Sequence, residues 1–203
     1  MSTLRESVSS PTESLILVND NDEEIGIHPK AACHEGEGLL HRAFSVFLFN
    51  RDGELLLQQR SALKPLWPLF WSNSCCSHPR LGEAMDEAVQ RRMGQELGLQ
   101  TPVSFVYKFE YQARFGTLGS EHELCWVYIG QTSKKPTINT TEIDEWRWIS
   151  AMDLDAELAA SQDCFTPWFK MEWQRLREEF ADRLNQTSAA PGAEPIDEPG
   201  KTE

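Results

Sequence analysis

The chain reads as an α+β sandwich, a mixed β-sheet packed between helices. Three observations carry that reading. Strand-like runs are mixed with few helices, several of the strands are joined as hairpins, and 203 residues suffice for one domain with a real core.

In chain order, residues 1–12 are Ser/Thr-rich with one proline and are expected to be a disordered tail, ahead of a single domain over residues 13–185. Ser14 to Val18 has the composition of a strand and ends at the turn-forming Asn19-Asp20-Asn21-Asp22. The segment from His28 to Leu40 is polar and contains two glycines, so a loop is expected there. Residues 43–49 form a strongly apolar run that reads as a buried strand. Asn50-Arg51-Asp52-Gly53 is a hairpin turn with the favoured Asp-Gly pair, and residues 54–60 return as its second strand. A loop with Pro65 and Pro68, rich in aromatics (Trp67, Phe70, Trp71), follows.

From Gly82 to Gly98 apolar Ala84, Ala88, Met93 and Leu97 alternate with charge in a helical pattern, and Gly98 suits the C-cap. Residues 103–113 and 121–130 read as strands separated by a Gly-containing turn, and residues 146–149 as a short last strand. Ser150 can cap a helix over about residues 151–160. Thr166 is placed to cap a final helix with Pro167 at its first position. Phe169, Trp173, Leu176, Phe180 and Leu184 give that helix one apolar stripe. Residues 186–203 carry Pro191, Pro195 and Pro199 and are expected to be disordered.

The formal charge is −13, but residues 1–24 carry six acids against Arg5 and residues 186–203 four against Lys201, so the ends hold −8 of it. The balance excludes nucleic acid and anionic membranes as general partners, while the milder centre leaves room for a basic pocket. The five cysteines (Cys33, Cys75, Cys76, Cys125, Cys164) show no repeated metal-binding spacing. With no signal-peptide pattern and no long apolar run, reduced thiols in a cytoplasmic protein are expected.

Chemistry concentrates in Trp71-Ser72-Asn73-Ser74-Cys75-Cys76-Ser77-His78-Pro79, where two thiols and an imidazole sit among small polar residues, a composition that suits a polar pocket better than a core. His34, His41 and His78 all lie in polar settings ahead of the main helix. In Glu121-His122-Glu123 a period of two puts both carboxylates on one strand face. Three imidazoles with one or two carboxylates make an octahedral set that suits Mn²⁺, Mg²⁺ or Zn²⁺. Surface histidines beside a solvated strand would leave the same pattern, and composition alone keeps both readings open.

The helix itself resembles the Nudix box, G-x5-E-x7-R-E-U-x-E-E-x-G-U with U aliphatic. Glu83, Arg91, Met93, Glu96, Gly98 and Leu99 fit, whereas Ser77, Arg92 and Gln95 replace one Gly and two Glu. In Nudix pyrophosphohydrolases the helix carboxylates hold the divalent ions that activate water. The resemblance therefore implies a fold that binds diphosphate with one Mg²⁺ through Glu96 but is poorly equipped to cleave it.

More of the chain is similar to the type I isopentenyl diphosphate isomerases of bacteria, which share that fold. The stretches are Ala31-Ala32-Cys33-His34, His41-Arg42-Ala43-Phe44, Arg60 with Lys64, the residues from Trp71 to Pro79, Gly82-Glu83, Glu96-Leu97-Gly98, Tyr111, Glu121-His122-Glu123 and Pro167-Trp168. The resemblance implies His34, His41, His78, Glu121 and Glu123 as metal ligands. It implies Cys76, Glu123 and Tyr111 as catalytic groups, and Lys30, Arg60, Lys64 and Arg92 as diphosphate contacts. Trp168 would face a developing cation, and Trp67, Phe70 and Trp71 would help to shield it from water. Cys75 receives no role, and Ser77, where many members have Gly, bears on the tightness of that turn. The implied reaction is the interconversion of isopentenyl and dimethylallyl diphosphate by a monomer acting on a small diphosphate. A Nudix diphosphate hydrolase and a non-catalytic diphosphate-binding Nudix domain are the alternatives.

Overall fold

The structure is a computed structural model that describes residues 7–188; the remainder of both expected tails, residues 1–6 and 189–203, lies outside the described residues. Along the chain, β1 (Ser14–Val18) and β2 (Glu24–Pro29) form a hairpin, followed by a single helical turn, α1 (Lys30–Cys33). Then come β3 (His41–Phe49), β4 (Leu55–Arg60), the short β5 (Trp71–Ser72) and β6 (Cys75–Ser77), and α2 (Met85–Leu97). β7 (Val103–Phe115) and β8 (Gly119–Gln131) make a long hairpin, and β9 (Ile143–Ile149) leads into α3 (Ala151–Ser161), α4 (Pro167–Glu179) and α5 (Ala181–Ser188).

β3 is the axis of the sheet. Its apolar run is buried everywhere except Arg42, as expected of a strand covered on both faces. It pairs in parallel with β8 along its whole length and antiparallel with β1, β6 and β4 in turn. β9 extends the sheet through β4, and β7 through β8. Alternation then sorts the side chains. Ala43, Phe47, Cys125, Val127 and Ile129 pack with Phe169, Trp173 and Leu176 of α4. Phe44, Val46, Leu48 and Tyr128 pack with Ala88, Val89, Met93 and Leu97 of α2. The sheet between helices expected from the sequence is present.

Capping follows sequence logic at two ends. Gly98 closes α2 in the left-handed region (φ 62°), where its N–H reaches Gly94 and that of Leu99 reaches Met93. Ser150 Oγ accepts the Asp153 N–H at 3.1 Å. Thr166 differs: it occupies the N-cap of α4, but its hydroxyl bonds Ser72 Oγ at 2.9 Å and makes no cap bond.

Other expectations are corrected. The segment 28–40 is not one loop: the end of β2 and α1 occupy its first part. The final apolar stripe spans two helices, divided at Phe180, and α5 runs to Ser188, past the expected boundary at residue 185. Residues 7–12, expected in the disordered tail, are placed: Ala31 N–H donates to the Pro11 carbonyl at 3.0 Å. All five cysteines are free, and among the described residues no helix is long and apolar enough to cross a membrane.

Candidate active site

Strand register brings the expected ligands together. Glu121 and Glu123 alternate with His122 in β8 and share a face. Tyr111 of β7 lies opposite Glu123 on one side, and His41 of β3 pairs with it on the other. His78 follows β6, itself paired to β3, and its carbonyl accepts from Arg91, whose guanidinium is held by Glu83 at 2.6 Å. His34 follows α1, and its carbonyl accepts the Ser120 N–H at 2.9 Å. The close approach needs glycine next door, because a Cβ on Gly119 would lie 2.5 Å from that carbonyl oxygen.

The result is a compact donor set. His34 Nε2 lies 2.7 Å from a Glu121 carboxylate oxygen. His78 Nε2 lies 3.2 Å from His41 Nε2 and 3.1 Å from Glu123 Oε1. The Tyr111 hydroxyl donates to the other oxygen of Glu123 at 2.6 Å. His34 and His41 spend Nδ1 on the carbonyls of Lys30 and Leu39, at 2.6 and 2.7 Å, which leaves Nε2 of each aimed inward. Ligand atoms of the three imidazoles lie within 4.8 Å of one another, and so do those of His41, Glu121 and Glu123.

This set fits a divalent cation. The Nε2 atoms of His41 and His78 face each other at 3.2 Å, where two lone pairs would repel unless a proton or a cation lies between them. The buried Glu121 Oε2 has no aligned hydrogen bond despite its contact with His34. Protonation states agree. Burial drives His78 well below its usual range, so its ring is neutral, the form that can coordinate a metal. Burial alone would raise the Glu123 carboxyl, but hydrogen bonds from His41 and His78 outweigh it and hold the group well below the usual carboxylate range. At His34, burial would lower the pKa, and the adjacent Glu121 carboxylate raises it overall. The Tyr111 phenol is pushed far up by burial and by Glu123 and Glu121, so it keeps its proton.

Beside the donor set opens a cavity of about 690 Å³. Cys76, His34, His78, Tyr111, Glu121, Glu123 and Trp168 face it, and so do Lys30, Arg60, Lys64 and Arg92. Burial pushes the Cys76 thiol up to about 12, against a smaller downward pull from Arg60. Trp168 is 3% exposed, with its ring centroid 5.2 Å from the Arg60 guanidinium carbon and 6.1 Å from the Tyr111 ring. Arg60 donates to the carbonyls of Leu66 and Trp67 at 2.9 and 3.0 Å, which fixes it along the wall. Burial above all, with the neighbouring Lys64 and Arg92, lowers the pKa of Lys30, against an upward pull from Glu121 and Glu13.

Several expectations change here. Glu96 does not line the cavity: its carboxylate is taken by Arg92 at 2.6 Å, on the buried side of α2. Trp67, Phe70 and Trp71 are not in the lining either. Trp67 stands edge-on behind Trp168 at 5.2 Å, Trp71 lies under Arg147, and Leu63, Pro65, Leu66 and Leu118 form the apolar wall instead. The stretch from Ser72 to Cys75 is fully buried rather than a polar pocket, and Cys75 belongs to the α2-side core. Ser77 sits in β6 opposite Phe44, so nothing at that position requires glycine. Sequence reasoning misses Glu142, which pairs with Lys64 and lies 3.5 Å from Arg92. A single acid before a strand carries no pattern by which to find it.

The chain matches the NUDIX domain model over residues 39–169. Solved structures agree on the fold: the protein DR0079 from Deinococcus radiodurans (TM-score 0.62, 23% identity, 87% of this chain and all of that one) and the MutT protein from Methanosarcina mazei Go1 (TM-score 0.57, 18%, covering 72% and 96%). Sequence relatives reach further. The isopentenyl-diphosphate Delta-isomerase 1 of Photorhabdus laumondii is 40% identical over 174 residues, 85% of this chain and 99% of its own. The isopentenyl-diphosphate Delta-isomerases of Burkholderia multivorans (43% over 157 residues, covering 77% and 89%) and Saccharopolyspora erythraea (37% over 189 residues, covering 92% and 95%) are similar too. With that identity sustained over nearly the whole length of both partners, the chain belongs to the isopentenyl-diphosphate Delta-isomerase family, built on the NUDIX fold.

Proposed function

We propose that the protein interconverts isopentenyl diphosphate and dimethylallyl diphosphate, adding a proton at one carbon of the allylic system and removing one from another. One observation carries the reading. Cys76 and the Tyr111-bonded Glu123 face a single cavity that also holds four basic side chains, in a chain 40% identical to such isomerases.

Lys30, Arg60, Lys64 and Arg92 take the diphosphate and set the depth of the hydrocarbon end. Cys76 and Glu123 are the proton-transfer pair. In the resting state the thiol is protonated, since burial holds its pKa at about 12, and Glu123 is ionised. That makes Cys76 Sγ the donor to the alkene and the Glu123 carboxylate the acceptor from the neighbouring carbon, with roles exchanged in the reverse direction. Tyr111 steadies Glu123 through its 2.6 Å hydrogen bond. Protonation of an alkene passes through a tertiary carbocation-like state, and Trp168 in the cavity lining would stabilise such a charge by about 2 kcal/mol when desolvated. Leu63, Leu66 and Leu118 keep water from trapping that state as an alcohol.

His34, His41, His78, Glu121 and Glu123 would hold a divalent ion, and three imidazoles favour Mn²⁺ or Zn²⁺ over Mg²⁺. When bound, that ion would fix the orientation of Glu123 and set its basicity. The Mg²⁺ expected at Glu96 is left out, because Arg92 already occupies that carboxylate. Arg92 and Gln95, standing where the hydrolase box has Glu, disfavour water activation along α2.

The test is incubation of metal-loaded protein with isopentenyl diphosphate in D₂O, followed by NMR. Deuterated dimethylallyl diphosphate is expected. Release of phosphate, or no turnover by metal-loaded protein, would overturn the reading.

A further inference from the structure

Residues 7–11 run along the cationic side of the cavity, with Ser7, Ser9, Ser10 and Pro11 in its lining. Two backbone bonds tether them to α1: Ala31 N–H to the Pro11 carbonyl at 3.0 Å, and Lys30 N–H to the Glu13 carbonyl at 2.8 Å. Past the tether the segment touches two of the four cations directly. Arg92 Nη1 donates to the Val8 carbonyl at 2.5 Å, and Lys30 Nζ donates to Ser9 Oγ at 2.9 Å. Beyond the two backbone bonds, the segment is held by hydrogen bonds to charges that face the cavity.

The contacts are to uncharged oxygens, which satisfy a buried cation less well than phosphate oxygens do. They also leave capacity on both sides. A lysine ammonium has three donors, so Lys30 can hold Ser9 and a phosphate oxygen together. A hydroxyl has one donor beside its acceptor pairs, and among the described residues no protein acceptor takes the Ser9 hydrogen. The segment and an anion can therefore share these cations rather than compete for them.

We propose that residues 7–11 complete the diphosphate site and that Ser9 is a further binding residue, its Oγ accepting from Lys30 while its hydroxyl donates to a phosphate oxygen. The proposal rests on the reading that the cavity takes a diphosphate. It adds a wall that the helix-box and histidine motifs do not include.

Full-length, metal-loaded protein is titrated with Mg²⁺-pyrophosphate by calorimetry, and KM for isopentenyl diphosphate is measured in parallel. Ser9→Ala is expected to weaken pyrophosphate binding and to raise KM, each about tenfold, with the effect falling on KM rather than kcat. Ser9→Thr keeps the hydroxyl and restores both values. In the unsubstituted protein, pyrophosphate slows amide hydrogen exchange across residues 7–11. Unchanged KM and pyrophosphate affinity in Ser9→Ala, or exchange at 7–11 indifferent to pyrophosphate, overturns the proposal while a working isomerase leaves the functional reading standing. A protein that neither binds pyrophosphate nor isomerises overturns both.

Discussion

Cys75 and Cys76 are neighbours in sequence and chemically alike, yet the pleat of β6 sends them to opposite faces of the sheet. Cys75 packs among Phe44, Val46 and Met93, and Cys76 faces the cavity beside the histidine and glutamate cluster. Their substitutions should therefore separate. Cys76→Ser should fold and bind metal normally but lose about a thousandfold in kcat, the scale of a missing general acid or base. Cys75→Ser should keep its rate and lose about 1–2 kcal/mol of stability for burying a hydroxyl without a partner. Steady-state rates and urea titrations of the two variants check this, and a fully active Cys76→Ser would remove the thiol from the reaction. At His34 the same resolution yields a pH dependence. Glu121 raises its pKa above the ordinary histidine value, and only the neutral ring can ligate. Metal binding must then release a proton, so affinity rises with pH and falls as pH drops through the raised pKa. Calorimetric metal titrations between about pH 5.5 and 8 should show that slope, and a flat profile would exclude His34 as a ligand.

Elements place these residues, and the β7–β8 hairpin does so most directly. Its register sets Tyr111 against Glu123, and the first residue of β8, Gly119, lets the backbone of α1's successor His34 close onto Ser120. Gly119→Ala puts a methyl 2.5 Å from the His34 carbonyl, which must move and take its ring with it. The expected outcome is a metal affinity lowered about 10–100-fold, comparable to the loss of a residue that orients a ligand, with the melting temperature far less affected. Equal metal affinity in the two proteins would show that α1 and β8 are not coupled as described. The hairpin, β3 and α2 were legible because each carries a period: alternation in strands, the 3.6-residue repeat and a Gly cap in the helix. β5 and β6 are two and three residues long, too short for any period, so the polar letters from Ser72 to Ser74 suggested a pocket although their hydrogen bonds let them be buried. α1 is one turn and is held by its neighbours rather than by its own sequence. The three histidines and the Glu121/Glu123 pair stood out in the sequence as a possible ligand set, but only the resemblance joined them into one site, since residues from position 34 to position 123 converge by sheet topology. Glu96 was misplaced because the box pattern fixes its spacing along the helix but not which cation reaches it first.

At the scale of the whole molecule, an acidic protein keeps a basic pocket by holding counter-charges close behind it. The chain carries −13, yet Lys30, Arg60, Lys64 and Arg92 converge on one cavity. In the resting structure Glu142 answers two of them, pairing with Lys64 and lying 3.5 Å from Arg92, with its side chain 3% exposed. Burial alone would raise the Glu142 carboxyl, but Lys64 and Arg92 lower it, so its contribution to stability is present above the unfolded carboxylate pKa and is lost as pH falls through the folded one. Removing one member of such a buried set while leaving the cations costs about 3 kcal/mol. Glu142→Gln should thus be markedly less stable than the parent at neutral pH, and the difference should shrink in acid, where the parent's carboxylate is protonated as well. The same substitution vacates the cations that a diphosphate would use. Added pyrophosphate should therefore raise the melting temperature of Glu142→Gln by more than it raises that of the parent, since a ligand stabilises in proportion to its affinity for the folded state. Thermal melts of both proteins with and without pyrophosphate, at neutral and acid pH, decide the matter. A smaller pyrophosphate response in the variant would mean that Glu142 organises the cations for the anion instead of standing in for it.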